Sequence, residues 1–314
     1  MEEPNSKPVL IREVWAKNLE SEFSLIRQLI PQYPFVSMDT EFPGVIFKQQ
    51  ILTKSYHHQN LHPLDEYNLL KANVDSLNLI QVGLTLSDVA GNLPHLGTNN
   101  SFIWQFNFRD FDVARDKHAT DSIALLRKQG IDFERNVVDG VDSVHFAAMM
   151  FSSGLLYNKA VTWVTFHSAH DFGYMVKILT HRTLPTRLDE FLWVVKRLFG
   201  NKVYDIKHMI RYCDSLYGGL DRVAQTLKVY RVVGKSHQAG SDSLLTCHVF
   251  QKIRDTYFVK GGHKKCSSVL FGLELEAFHS RVVNRGGKNR LCPQINFSYN
   301  VFIPQIITFG KALS

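Results

Sequence analysis

Hydrophobic positions change their period several times along the first third of the chain, and each change marks an element. Leu19, Phe23, Ile26 and Ile30 recur at helical spacing, which predicts an amphipathic helix ending near Leu29 or Ile30. Pro31 and Pro34 punctuate it. The stretch PFVSMDTEF gathers β-formers and closes on the turn signal Pro43-Gly44, so it reads as a strand. A looser region follows, then a second helix around Leu64 to Ala72. Ile80, Val82, Leu84 and Leu86 alternate with polar or small residues, and beyond a turn-rich 91–100 segment Phe102, Trp104, Phe106 and Phe108 alternate again. Three strands joined in this way predict an antiparallel meander.

After Asp121 the pattern becomes an alternation of helices and strands. Helices are expected over Ser122 to Gln129 and Val144 to Ser153, and further ones from Asp171, Arg187, Asp221 and Ser241. The apolar run VTWVTF, 161–166, reads as a buried strand of a mixed sheet. A meander followed by alternating units indicates an α/β fold with a mixed sheet covered by helices on both faces. From about Glu276 the periodicity fades into the basic, glycine-containing HSRVVNRGGKNRLCPQ. The chain therefore divides into residues 1–275 and a C-terminal extension, 276–314, a candidate for lying outside the fold.

Composition adds only bounds. A hydrophobic content of 45% excludes wholesale disorder. No run of about 18 apolar residues offers a membrane span, and MEEPNSKP lacks the pattern of a secretory leader, so an intracellular protein is expected. Cys213, Cys247, Cys266 and Cys292 have no paired spacing and read as reduced thiols. His263 and Cys266 alone fall short of a structural zinc set. The formal charge of +7 suits a polyanionic partner without identifying one.

The candidate chemistry lies in carboxylates. Asp39 and Glu41 are two apart in a predicted strand, so both project on one face among core-forming Phe35, Val36, Met38 and Phe42. They are either a hydrated strand end or a repelling pair that needs a cation. Asp171 and Asp242 each accompany a predicted helix start, where a capping role competes with a functional one. His237, five residues before Asp242, is either a surface histidine or a group that reaches the same site. Together the four carboxylates could hold two divalent, oxygen-preferring cations such as Mg²⁺ or Mn²⁺, with His237 as a proton acceptor. Asp121 is better explained by capping with Thr120, and Asp205 as a strand-end or cap residue, so neither enters the site.

DTE, HDFGYMVKIL and HQAGSD resemble the three motifs of the DEDD exonuclease superfamily, in its histidine subtype. More narrowly, the chain resembles the Caf/Pop-type deadenylase subunits of the Ccr–Not complex, through FVSMDTEFPGV, YNLLKANVDSLNLIQVGLTLSD, WQFNF, FHSAHDFGYMVKIL, YGGLDRVAQTLKVYR and HQAGSDSLLT. The resemblance implies an RNase H-like fold, two divalent metal ions (Mg²⁺ or Mn²⁺) on Asp39, Glu41, Asp171 and Asp242, catalytic His237, and stepwise release of AMP from mRNA poly(A) tails in the 3′→5′ direction. It also implies a Not-type scaffold and a second deadenylase subunit as partners, with no membrane, in cytoplasm and nucleus. His170 departs from it, standing where a tyrosine is more usual. For such an enzyme Phe42 and Pro43 are placed to touch the terminal nucleotide, and His167 and Ser168 to reach a phosphate or ribose. A DNA exonuclease and a non-catalytic adaptor are the alternatives; the stretches beyond the motifs favour RNA, and the complete set of catalytic positions argues for an enzyme.

Overall fold

The computed structural model describes residues 7–48 and 61–275. Its strands are β1 (Val9–Val14), β2 (Phe35–Glu41), β3 (Gln81–Ser87), β4 (Ser101–Asn107), β5 (Thr162–Thr165) and β6 (Val203–Asp205). They form one mixed sheet in the order β1-β4-β3-β2-β5-β6. β3 runs antiparallel to β2 and β4, while β1–β4, β2–β5 and β5–β6 are parallel pairs. The expected meander is therefore β2-β3-β4, and with β5 and β6 it makes the RNase H-like arrangement. Helices α1 (Leu19–Leu29), α2 (Pro63–Ser76), α3 (Thr120–Gln129), α4 (Phe133–Asp139) and α5 (Ser143–Ser152) precede β5. After it come α6 (Ala169–Thr180), α7 (Leu188–Phe199), α8 (Ile206–Met209), α9 (Leu220–Thr226) and α10 (Ala239–Tyr257).

The two faces of the sheet are covered differently. The even-numbered residues of the meander, Val36, Met38, Val82, Leu84, Trp104 and Phe106, are buried in one large apolar core with α1, α2, α5 and α6. The other face of β2 and β3 lies under α10; apart from Phe35, which meets Phe250 of α10 at 6.3 Å between ring centroids, it is polar or small: Ser37, Asp39, Glu41, Gln81, Gly83, Thr85, Ser87. All of β3 is buried. A second core under β5 and β6 joins Val164 and Tyr204 to Met209, Val223, Leu245 and Phe250.

Two elements were not expected and one expectation needs correction. β1 was not anticipated, because a six-residue edge strand is fixed by pairing with β4 some ninety positions on. α4, only seven residues long, is started by the Asp132 side chain accepting from the Arg135 N–H at 2.9 Å. The Thr120-Asp121 cap is not made: Ala119 is the cap position of α3, without a side-chain hydrogen bond, and Asp121 is a first-turn acid that complements the helix dipole. The segment 276–314 lies outside the described residues. Among those residues, no helix is long and apolar enough to cross a membrane.

Candidate active site

β2 delivers Asp39 and Glu41 on one face at its C-terminal end, as strand alternation requires. That face meets α10 at an unusually close approach. Gly83 pairs with Asp39, and a Cβ built on Gly83 would lie 1.9 Å from the Ala239 carbonyl oxygen. Only a glycine lets the start of α10 settle here.

Buried amides complete the seat. Gln81 Oε1 accepts from the Ala239 N–H at 3.3 Å, and Gln105 Oε1 from the Gly240 N–H at 3.0 Å. Both are among the donors a helix start leaves without intrahelical partners. The amides are themselves held. Gln81 donates to Asn107 at 2.7 Å, while Gln105 and Asn107 donate to Glu13 of β1 at 3.1 and 2.7 Å. Farther along, Thr85 and Ser243 share a hydroxyl hydrogen bond of 2.8 Å. The polar alternation of β3 thus serves a helix rather than solvent.

This seating places Asp242 in the first turn of α10, and Asp171 occupies the first turn of α6. Both helix N-termini point positive dipole ends toward the acids. Asp171 accepts from the Thr40 hydroxyl at 2.5 Å. Asp242 accepts from the His237 N–H at 2.8 Å and pairs with Arg231 at 2.6 Å. His237 has φ 62°, in the left-handed region that residues other than glycine adopt infrequently. Glu41, His237 and Asp242 each offer one ligand atom, all within 4.8 Å of one another. His237 is exposed, whereas Glu41, Asp171 and Asp242 are buried.

The electrostatics follow from crowding buried acids. Burial, then the repulsion of Asp242, Asp171 and Glu41, holds the Asp39 carboxyl well above the usual range. Glu41 is raised by burial and by Asp242 and Asp171, and Asp171 is pushed by burial to about 7. Asp242 is raised too, chiefly by burial, although Arg231 opposes it. Arg231 alone does not neutralise four carboxylates. A hard divalent cation would relieve this imbalance, and a donor set of carboxylate oxygens with one imidazole fits Mg²⁺ or Mn²⁺. Asp39, Glu41, Asp171 and Asp242 would hold it, with His237 within reach.

Around this centre the sequence expectations separate. Phe42 is half-buried and stacks on His170 and Tyr174, at centroid distances of 5.3 and 5.0 Å. It is thus both a core residue and a neighbour of the acids. Burial and the nearby His167 lower the His170 imidazole to about 4, so it is neutral near pH 7. Pro43 is buried, and its carbonyl accepts from Ala119 at 2.8 Å. Ser168 is fully buried, and its hydroxyl donates to Asp205 at 3.2 Å. Pro43 and Ser168 therefore do not present surface to a nucleotide, which corrects that expectation. His167 remains partly open at the rim.

Arg231 and the Gln81–Gln105–Asn107–Glu13 amide network were not anticipated, because nothing local distinguishes them from surface polar residues. Asp205 turns out to be both strand end and helix cap. It accepts from the backbone N–H groups of His167, Ser168, Lys207 and Phe271, which fixes the loop leading into Asp171.

Known proteins resemble this chain in sequence and in fold. The sequence profile described as CAF1 family ribonuclease matches residues 14–147. The chain is 49% identical over 271 residues to the probable CCR4-associated factor 1 homolog 7 of Arabidopsis thaliana, covering 85% of this chain and 94% of that one. It is 42% identical to the poly(A) ribonuclease pop2 of Schizosaccharomyces pombe, covering 84% of this chain and 75% of that one. Among solved structures it is similar to S. pombe Pop2p in its Mg²⁺- and Mn²⁺-bound form, with a TM-score of 0.74, 41% identity and coverage of 84% and 99%. It also resembles CAF1 co-crystallised with the yeast NOT1 MIF4G domain, with a TM-score of 0.66, 33% identity and coverage of 86% and 99%. By the acids its fold gathers and by these relatives, the chain belongs to the CAF1 family of ribonucleases.

Proposed function

We propose that the chain is a 3′→5′ exoribonuclease that shortens mRNA poly(A) tails and releases AMP. The observation that carries this reading is the convergence of Asp39, Glu41, Asp171 and Asp242 with His237 at the end of β2, in a chain of this family. The four carboxylates would hold two divalent ions, Mg²⁺ or Mn²⁺. When bound, such a pair supplies activation of a water and stabilisation of the leaving oxygen in an in-line phosphoryl displacement.

The protein's own groups do the rest. His237, exposed beside Asp242, takes the proton of the attacking water. The hydrogen bond from its backbone to Asp242 holds base and carboxylate in one unit. Thr40 fixes the direction of the Asp171 carboxyl. Phe42, stacked on His170, offers a ring edge next to Glu41 for the terminal base, and His167 lies at the rim for its phosphate or ribose.

The catalytic unit is residues 1–275, with 276–314 as an extension. Because a relative named CAF1 was crystallised with NOT1, the same reading makes this chain the catalytic subunit of a Ccr–Not complex, docked on a Not-type scaffold beside a second deadenylase subunit. Its work would lie in cytoplasm and nucleus.

The test is a time course on 5′-labelled RNA ending in oligo(A), with Mg²⁺ or EDTA, for wild type and Asp39→Ala. A metal-dependent ladder descending from the 3′ end, absent in a folded Asp39→Ala, is expected. Folded wild type that shortens nothing, even with Mn²⁺, would return the chain to an adaptor role.

A further inference from the structure

Residues 205–236, between β6 and the His237 loop, carry six Lys or Arg against three Asp. Two of those aspartates are engaged: Asp205 is fully buried, and Asp221 pairs with Arg231 at 2.8 Å. The same segment exposes three tyrosines, Tyr212 at 61%, Tyr217 at 59% and Tyr230 at 71%. Exposed aromatics interleaved with cations cost solvation and contribute little to a core, so a binding role is the economical explanation.

Side-chain contacts and chain neighbours link this segment to the acids at two places. Arg231 bridges Asp242 and Asp221, and Tyr230 precedes it in the chain. Beside Asp221, Arg222 lies over the Tyr217 ring at 3.9 Å and donates to its hydroxyl. The carbonyl of Gly218 then accepts from Lys207, whose ammonium lies 5.7 Å from the Phe271 ring. Arg211 covers the same ring at 4.7 Å, its charge paired with Glu274 at 2.7 Å. Phe271 meets the His167 ring edge-on at 5.1 Å, four residues before Asp171.

We propose that this segment is the track for single-stranded RNA upstream of the cleaved phosphate. Bases stack on Tyr217 and Tyr230, and Arg222 and Lys207 neutralise the backbone. The inference rests on the exoribonuclease reading above and adds where the rest of the strand lies. Unpaired bases are held by stacking and by cations along the backbone, in a manner tolerant of sequence. Tyr217 is well prepared for this, because Arg222 fixes its ring in advance and less order is lost on binding. Unlike Arg231, none of Tyr217, Tyr230, Arg222 and Lys207 pairs with the four carboxylates, so these residues should affect affinity for long strands and leave the chemistry alone.

The experiment compares a long oligo(A) RNA with a trinucleotide that reaches only the acids, using the full chain with Mn²⁺ at several salt concentrations. For Tyr217→Ala, KM on the long RNA should rise about tenfold, the size of one base stack, with kcat unchanged. Tyr217→Phe should behave as wild type and serves as the folding control. Arg222→Ala should reduce the dependence of log KM on log salt by about 0.7, the share that neutralising one phosphate contributes on a single strand. Neither variant should change cleavage of the trinucleotide. Equal losses on both RNAs, or no loss on either, would overturn the track and leave the surface to an acidic protein partner. Wild type that cleaves neither RNA would overturn the exoribonuclease reading itself, a distinct result from a length-independent variant.

Discussion

Replacing Asp171 with asparagine removes one negative charge from the cleft yet keeps an oxygen to accept from Thr40. In the folded chain Asp171 holds its proton up to about 7, against an ordinary value of 3.8. Between those values the folded state binds more protons than the unfolded one, so this group's contribution to stability falls as pH rises through the window. That sign is the reverse of a salt-bridged carboxylate. A difference of about three units at about 1.4 kcal/mol each bounds the cost of the ionised group near 4 kcal/mol. The neighbouring acids share protons with it, so a gain of about 2 kcal/mol is expected for the asparagine variant in EDTA at about pH 8. For a domain of this size that is a rise in Tm of roughly 5 °C. Thermal melts followed by circular dichroism in EDTA, at about pH 8 and about pH 4.5, measure it; the gain should shrink by more than half at the lower pH. The same variant should lose both RNA cleavage and stabilisation by Mn²⁺. A variant less stable than wild type at the higher pH, or a gain indifferent to pH, would refute the reasoning and make Asp171 a structural first-turn acid.

His237→Ala should reduce turnover more than Mn²⁺ affinity, measured by single-turnover cleavage against metal titration; equal losses would contradict its role as base. Gly83→Ala drives a methyl into the backbone of Ala239 and should cost about 1–3 kcal/mol by displacing α10. Its cleavage should fall with Asp242 moved, and a variant with full activity would mean that the close approach is not needed. Arg231→Met removes the cation paired with Asp242; because Arg231 is 17% exposed, the loss should be about 2 kcal/mol, below that of a fully buried pair. Mn²⁺ should then raise its Tm more than that of wild type, since more charge awaits compensation, and an equal or smaller rise would count against that account.

Much of this protein is legible in its residue order because the signals are local. Alternation in Ile80, Val82, Leu84 and Leu86 marks β3, and the two-residue spacing of Asp39 and Glu41 puts both on one face whatever the strand pairs with. The helix starts that carry Asp171 and Asp242 were also readable, although α6 and α10 begin two residues earlier than expected, which places each aspartate inside the first turn. What the sequence could not decide depends on chain segments far apart. The polar positions Gln81, Thr85, Gln105 and Asn107 look like a solvent face, yet they are buried because the start of α10 and Glu13 of β1 satisfy them. β1 has no identity without β4. Ser168 looked free to reach a substrate until Asp205, thirty-seven positions away, claimed its hydroxyl. The sequence by itself determined which residues are candidates for the chemistry, since residue type and short-range period are written locally. Only the tertiary structure decided how the acids meet, which cation opposes them and which polar side chains are scaffold, since burial and long-range hydrogen bonds exist only once the chain has closed on itself.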